Sequence, residues 1–361
     1  MRYMRNVRRE QHLRRDERNK YLPRLLAEMK QNEMVELESD QDREIPEDVL
    51  KFVRWQIDVA MLGNDGWSGY DVIEQFQPAA LRYQIVEGVY TLAFANRFYT
   101  PSFRGSYLQE AQEKLIYKYC QERTTNYEPV LKDNIMLTGF YSLALGFYRA
   151  ATLSDRFTKD GALVLQIDKT YHYSHSSKTL AKALLDNWSK SAFCLYPCEP
   201  NWIYSFCNLY GINALQCHDT NEGTDLVSGI KGRFRKGYIE EFTDADGTCV
   251  PIKSRLTGFV IPGLIGIVNE LSCSALTASP MPDVSARAYA VAEKEVLTLG
   301  SKGRLADIDC LQGADKMDRG RYKASMVTFY AQALAAARTF GDTGSRKHLK
   351  ISSIKTSLLT R

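Results

Sequence analysis

Between Cys194 and His218 the chain reads CLYPCEPNWIYSFCNLYGINALQCH, which places four of its 8 cysteines, Cys194, Cys198, Cys207 and Cys217, in one short stretch closed by a histidine. Cys198 and Cys207 stand nine positions apart, and Glu199 follows Cys198 directly. Pro200 reads as the first residue of a helix running from Trp202 to Cys217, where its missing N–H costs nothing. On that reading Cys198 and Glu199 lie at the helix N-terminus. A thiol there feels the positive end of the helix dipole, while the neighbouring carboxylate opposes it, a pairing suited to acid/base work. Cys207 would follow about two turns along, roughly 10 Å away, too far for a direct disulfide and suited to the opposite end of one small molecule. A zinc site is disfavoured, because CxxxC has zinc-like spacing but Cys207 and Cys217 do not form a second close pair. Plain core packing of the cysteines stays open beside the thiol-pair reading. His172 and His175, in YHYSH, face opposite sides of an alternating segment and read as exposed or singly bonded.

The 361 residues are 44% hydrophobic and 25% charged, enough for one large core or two ordinary ones. The start, MRYMRNVRREQHLRRDER, has no apolar region behind its basic residues and does not resemble a signal peptide. No apolar run reaches the roughly 18–20 residues of a membrane span. These features describe a cytoplasmic protein whose cysteines are thiols. The net charge is +4, with much of the basic excess near the N-terminus, so nucleic acid is not an expected partner. Residues 1–45 read as a basic, solvated extension, with contact to an anionic membrane surface as the second option.

Helical periodicity dominates the remainder. Helices are expected over 45–61, 76–98, 106–121, 133–153, 180–188, 202–217, 258–271, 286–299 and 324–340, with the 133–153 segment apolar around most of its circumference. Two strand pairs are expected, over 162–174 and, around a DADG turn, over 236–253. The alternation of outer and inner helices argues for an all-α fold, an (α/α) barrel with two short β-hairpins occupying 46–345, followed by a tail over 346–361.

YPCEPNWIYSFCN resembles the Cys-Glu-Pro motif, with its second Cys nine positions on, of the linalool dehydratase-isomerase family. KDNIMLTGFYSLALGFYR, RYQIVEGVYTLA and GYIEEFTDADGTCVPIKSRLTGFVIPG are similar to further segments of that family. The resemblance spans about residues 46–342. It implies an (α/α) barrel with a cavity, no cofactor, a homo-oligomer, and interconversion of an allylic tertiary alcohol with its isomer and its diene. It also implies a place in the site for Tyr83 and for Asp58 of WQID.

Two departures follow. Phe140 stands where the family carries a histidine, which removes a proton-transfer group and argues against linalool itself as substrate. The C-terminal ISSIKTSLLTR lacks the family's closing helix pair. The expected site is therefore Cys198 with Glu199 and Asp58 with Cys207 as the acid/base ends, Tyr83 holding or relaying the hydroxyl, and no metal. Phe140, Tyr141, Trp202, Tyr204 and Tyr238 are expected to line an apolar pocket for a hydroxylated terpenoid or polyketide-like molecule. A cyclase on the same scaffold and a non-catalytic binding or assembly protein are the alternatives.

Overall fold

Apolar periodicity becomes helix over most of the chain, with two small antiparallel sheets between helices. The computed structural model describes residues 2–32, 47–63, 66–70, 80–99, 105–121, 128, 130–131, 134–166, 170–198, 200–261, 268–295, 297 and 326–342. The expected tail over 346–361 and Glu199 lie outside the described residues. The chain divides into two compact units, one of residues 38–200 and 207–232, the other of 1–37, 201–206 and 233–361. No helix among the described residues is long and apolar enough to cross a membrane.

The first unit holds α2 (Glu47–Ala60), α3 (Ala80–Phe94) running into a π turn (Ala95–Tyr99), α4 (Gly105–Gln121), a second π turn (Met136–Phe140) leading into α5 (Tyr141–Thr152), and α6 (Ser177–Lys190). It ends in α7, which spans Ser205–Glu222 and belongs to this unit from Cys207 on. Packing of α3 against α4 and α5 builds its core. The expected hairpin is present as β1 (Leu163–Gln166) and β2 (His172–His175), paired antiparallel. His175 is buried and its Nε2 lies 3.0 Å from Glu128, while His172 is exposed. Ser176 and Thr179 form a reciprocal capping box that starts α6 directly behind β2.

The second unit contains α1 (Arg2–Asn32), a three-stranded sheet of β3 (Trp202–Tyr204), β4 (Ile252–Ser254) and β5 (Val260–Ile261), α9 (Val268–Thr277), α10 (Pro282–Glu295) and α11 (Met326–Thr339). Most of α8 (Ser228–Glu241) also belongs here. Its core joins Leu271, Tyr289, Ala333, Ala336 and Phe340, with the rings of Tyr289 and Phe340 stacked at 4.5 Å.

Three expectations are corrected. Trp202–Tyr204 is strand and not helix, because its β-branched and aromatic residues find IKS of β4 as a partner; α7 begins only at Ser205. The expected strand over 236–241 is helix, because Ile230, Phe234 and Tyr238 recur every fourth residue and all are buried. The DADG turn survives as a short bridge between Thr243 and Cys249, closed at Gly247 with φ +81°. The helix expected over 258–271 starts late: Gly258, with φ +68°, turns the β4–β5 hairpin, and helix is found from Val268 as α9.

The N-terminal segment departs most from expectation. Residues 1–45 read as a solvated extension, yet α1 lies along α10 and buries Leu22 against Ala290 and Val291. Arg18 is buried, at 3% exposure, in the middle of this contact. Its guanidinium grips Glu295 with two bonds, Nε–Oε1 at 2.8 Å and Nη2–Oε2 at 2.9 Å, and its Nη1 donates to Thr248 Oγ1 at 2.7 Å. Arg14 bonds the Asp246 carboxylate at 2.9 Å, and Arg287 donates to the Gly247 carbonyl at 2.8 Å. The DADG turn is thus clamped between α1 and α10 by arginines whose polarity hid the contact from a hydropathy reading. Removing one partner of a buried, bidentate pair strands the other charge. Arg18→Ala should cost about 3 kcal/mol and lower the thermal midpoint by several degrees. Lys20→Ala, two residues away with its side chain in solvent, should leave the midpoint unchanged.

Candidate functional site

The first unit brings several expected residues together around one helix crossing. Gly139 of the second π turn faces α7 so closely that an added Cβ would lie 3.0 Å from the Cys207 carbonyl and 3.1 Å from the Gly211 nitrogen. The lack of a side chain at Gly139 lets the two backbones meet there, and the lack of one at Gly211 makes room for the side chains of Ile135, Trp188 and Leu184. Phe140, next in the chain, stacks on Tyr210 with ring centroids 3.9 Å apart and meets Tyr83 edge to face at 5.3 Å. The Tyr83 hydroxyl donates to the Met136 sulfur at 3.0 Å, and Tyr90 donates to the Phe140 carbonyl at 2.7 Å. Burial pushes the Tyr90 and Tyr210 hydroxyls above their ordinary range, so both are neutral donors at physiological pH. π turns interrupt helices frequently at functional positions, and this one presents Met136 and Phe140 to the same cluster.

Cys207 is buried in the first turn of α7. It is this thiol, and not Cys198, that sits at the positive end of a helix. Cys198 lies in the loop before β3, also buried. The loop is held in two places. Asn208, fully buried, accepts from Trp188 Nε1 at 2.9 Å and from the Tyr196 N–H at 3.1 Å, and returns a bond to the Tyr196 carbonyl at 3.1 Å. The Pro197 carbonyl accepts from the Ile135 N–H at 3.2 Å. These bonds pin the residues just before Cys198 to the first turn of α7 on one side and to the entrance of the π turn on the other. The Tyr196 hydroxyl adds a 2.6 Å bond to Thr138.

Other expected site residues lie elsewhere. Asp58 is exposed on α2, which corrects the expectation of a buried carboxylate in a closed cavity. Tyr141 turns away from the Phe140 cluster: its ring stacks on Tyr119 at 4.2 Å, and its hydroxyl meets Cys120 Sγ at 3.0 Å and the Ile116 carbonyl at 3.1 Å. It is a core tyrosine between α5 and α4, and burial pushes the Cys120 thiol beneath it up to about 11. Cys217 packs against Gly146 and Asn221 further along α7. His218, its basicity lowered by burial, borders a small cavity with Asn221 and Glu222. Among the described residues no three His, Cys, Asp or Glu side chains assemble as metal ligands.

Trp202, Tyr204 and Tyr238 belong to the second unit. Trp202 and Tyr204 are half-buried on β3, with Ile203 buried between them. The Tyr238 hydroxyl donates to Cys249 Sγ at 3.1 Å and lies 2.9 Å from Cys273 Sγ. Tyr238, Cys249 and Cys273 line a cavity of about 180 Å³ together with Glu270 and Arg287. Burial lifts the Glu270 carboxyl to about 7, against the Cys249 N–H, which donates to it at 2.7 Å, and against the charges of Arg18 and Arg287; Asp246 adds a small upward push.

Tyr210, Met136 and Asn208 escaped the sequence reading. Tyr210 was signalled only by its position one turn after Cys207 on the same helix face.

The family profile of linalool dehydratase/isomerase matches residues 82–127 and 122–357. The chain belongs to the linalool dehydratase/isomerase family. Membership points to a lyase/isomerase type of enzyme. No curated protein matches the chain.

Two outcomes follow from this geometry. Gly139→Ala forces backbone apart from backbone and should cost about 2 kcal/mol in chemical denaturation, with a changed near-UV signal from the Phe140–Tyr210 stack. Gly232→Ala, with nothing within 4 Å of its added Cβ in α8, should instead stabilise by about 0.5–1 kcal/mol. Glu270 retains its proton in the folded state from the ordinary carboxylate range up to about 7, whereas the unfolded chain has already lost it. Its contribution is therefore present at acid pH and fades as pH rises toward about 7, by up to about 3 kcal/mol. Urea midpoints for the wild type should fall over that window, and Glu270→Gln should flatten the fall.

Proposed function

We propose that this chain is a dehydratase or isomerase of a hydroxylated, largely apolar small molecule, of terpenoid or polyketide type, using protein side chains for acid/base chemistry. The observation that carries the proposal is the buried Cys207 in the first turn of α7, packed at the Gly139 crossing beside the Tyr83–Phe140–Tyr210 aromatic group. Loss of water from an allylic alcohol needs a proton delivered to the hydroxyl oxygen, departure of water, and removal of a proton from the adjacent carbon. Cys207 and Cys198, the latter with Glu199 beside it in sequence, are assigned the two proton transfers. Readdition of water at the other end of the allylic system gives the isomer. The faces of Phe140 and Tyr210 favour the positive charge that spreads over the allyl carbons while the oxygen leaves. Asp58 has no step in this scheme, because it stands on the exposed face of α2.

Phe140 favours a second reading. An aromatic wall in place of a proton-transfer histidine suits a cyclase, in which the same cation is captured by a carbon–carbon double bond of the substrate. The count of double bonds in the product separates the two: dehydration removes one water and isomerisation leaves the formula unchanged, whereas cyclisation can do either but trades one double bond for a ring, which NMR or exhaustive hydrogenation of the product reads. Incubation with a panel of prenyl alcohols and related hydroxylated metabolites should yield one such product. Cys198→Ala and Cys207→Ala should each lower turnover by about 100-fold or more, with the helical circular dichroism spectrum unchanged. Full turnover by both variants would remove the thiols from the mechanism.

A further inference from the structure

The second unit contains a pair of thiols that the chemistry above does not use. Cys249, on the strand side of the DADG turn, and Cys273, on α9, are both buried. They also share the hydroxyl of Tyr238, which donates to Cys249 at 3.1 Å and lies 2.9 Å from Cys273. Two sulfurs that bracket one hydroxyl oxygen at 3.1 and 2.9 Å lie at most about 6 Å apart, near enough for side-chain rotation to bring them to disulfide length. A further group completes the set. Glu270 lies one turn before Cys273 on α9, its carboxyl accepting from the Cys249 N–H at 2.7 Å. All four residues line the cavity of about 180 Å³, whose rim includes the exposed Ile239 and Asp283, so a small solute can enter from solvent.

We propose that Cys249 and Cys273 are a redox-modification site, a vicinal dithiol that a small hydroperoxide converts to a disulfide. Cys249 is the attacking sulfur, because the Tyr238 hydroxyl points its proton at this sulfur from 3.1 Å. Cys273 is the resolving thiol: the neighbouring Cys249 and burial both hold it protonated. In the first step Cys249, its proton passed to Glu270, attacks the terminal peroxide oxygen. The O–O bond breaks, and the released oxygen takes up a proton to leave as water (or as an alcohol from an organic hydroperoxide), with Cys249 now a sulfenic acid. In the second step the Cys273 sulfur attacks the Cys249 sulfur and the S–O bond breaks. Hydroxide departs, protonated to water. With hydrogen peroxide the sum is two thiols and one peroxide giving one disulfide and two waters, a two-electron oxidation of the sulfurs matched by reduction of the peroxide.

The test uses the full chain, reduced and then exposed to stoichiometric hydrogen peroxide. Intact mass under non-reducing conditions should fall by about 2 Da, and proteolysis, which cuts between the two cysteines at Lys253 and Arg255, should yield one cross-linked peptide joining Cys249 to Cys273. Tyr238→Phe should slow formation of that cross-link several-fold. Cys273→Ala should abolish it and leave Cys249 as a sulfenic acid that dimedone captures. Because an altered core can unfold a variant, the wild-type peptide map decides by itself. Oxidation confined to other cysteines, a cross-link from Cys249 to a different partner, or sulfinic acid at Cys249 without a cross-link would each overturn the proposal. Cys198→Ala should leave the cross-link rate unchanged, so a failure here is separable from a failure of the proposed turnover chemistry.

Discussion

The first unit depends on a contact that involves no side chain at one of its two faces. Where Gly139 meets the backbone of Cys207 and Gly211, the π turn and α7 approach as closely as main chain allows. Every aromatic contact of the candidate site is a consequence of that spacing. Phe140 can lie flat on Tyr210 only because its neighbour has no Cβ, and Tyr83 and Tyr90 then close over Phe140 from α3. Packing at this density transmits any change of volume into the rings, since an interior has little slack to absorb it.

Asn208 does for the polar side of the site what the glycines do for the backbone. Its buried amide is occupied by Trp188 on one side and by both main-chain groups of Tyr196 on the other. A buried amide so engaged has one orientation, and a loop bonded to it has one path. The Cys198 segment therefore owes its place to an uncharged residue adjacent to Cys207, and the two thiols are linked structurally before any chemistry is considered.

The helices were legible in the sequence where apolar residues recur with helical period, as in Gly105–Gln121 and Tyr141–Thr152. The β1–β2 hairpin was legible from its alternation. Three features were not. α1 is so polar overall that its short apolar stretch around Leu22 does not stand out, and nothing local pairs Arg18 with Glu295. Trp202–Tyr204 becomes strand because of IKS some fifty positions later, a tertiary choice that overrides Pro200 as a helix start. The meeting of Cys249 and Cys273 at the Tyr238 hydroxyl joins residues separated by the β4–β5 hairpin, so no spacing rule exposes it. At the site, the cysteine motif and Phe140 were readable from residue types; that Tyr141 turns to α4 while Phe140 turns to α7 was not, because α5 is apolar on both faces and adjacent residues there diverge by about 100°.

The grip of Arg18 on Glu295 spans 277 residues of chain. During synthesis the arginine leaves the ribosome well before its carboxylate partner. At about 5–20 residues per second the interval is roughly 15–55 s. Over that time α1 carries its charge in water, with the α10 face that will cover Leu22 not yet made. The second unit is in this sense assembled from distant parts of the chain, and the nascent chain must keep a basic, partly apolar segment available to whatever else binds such segments until Glu295 emerges to claim it.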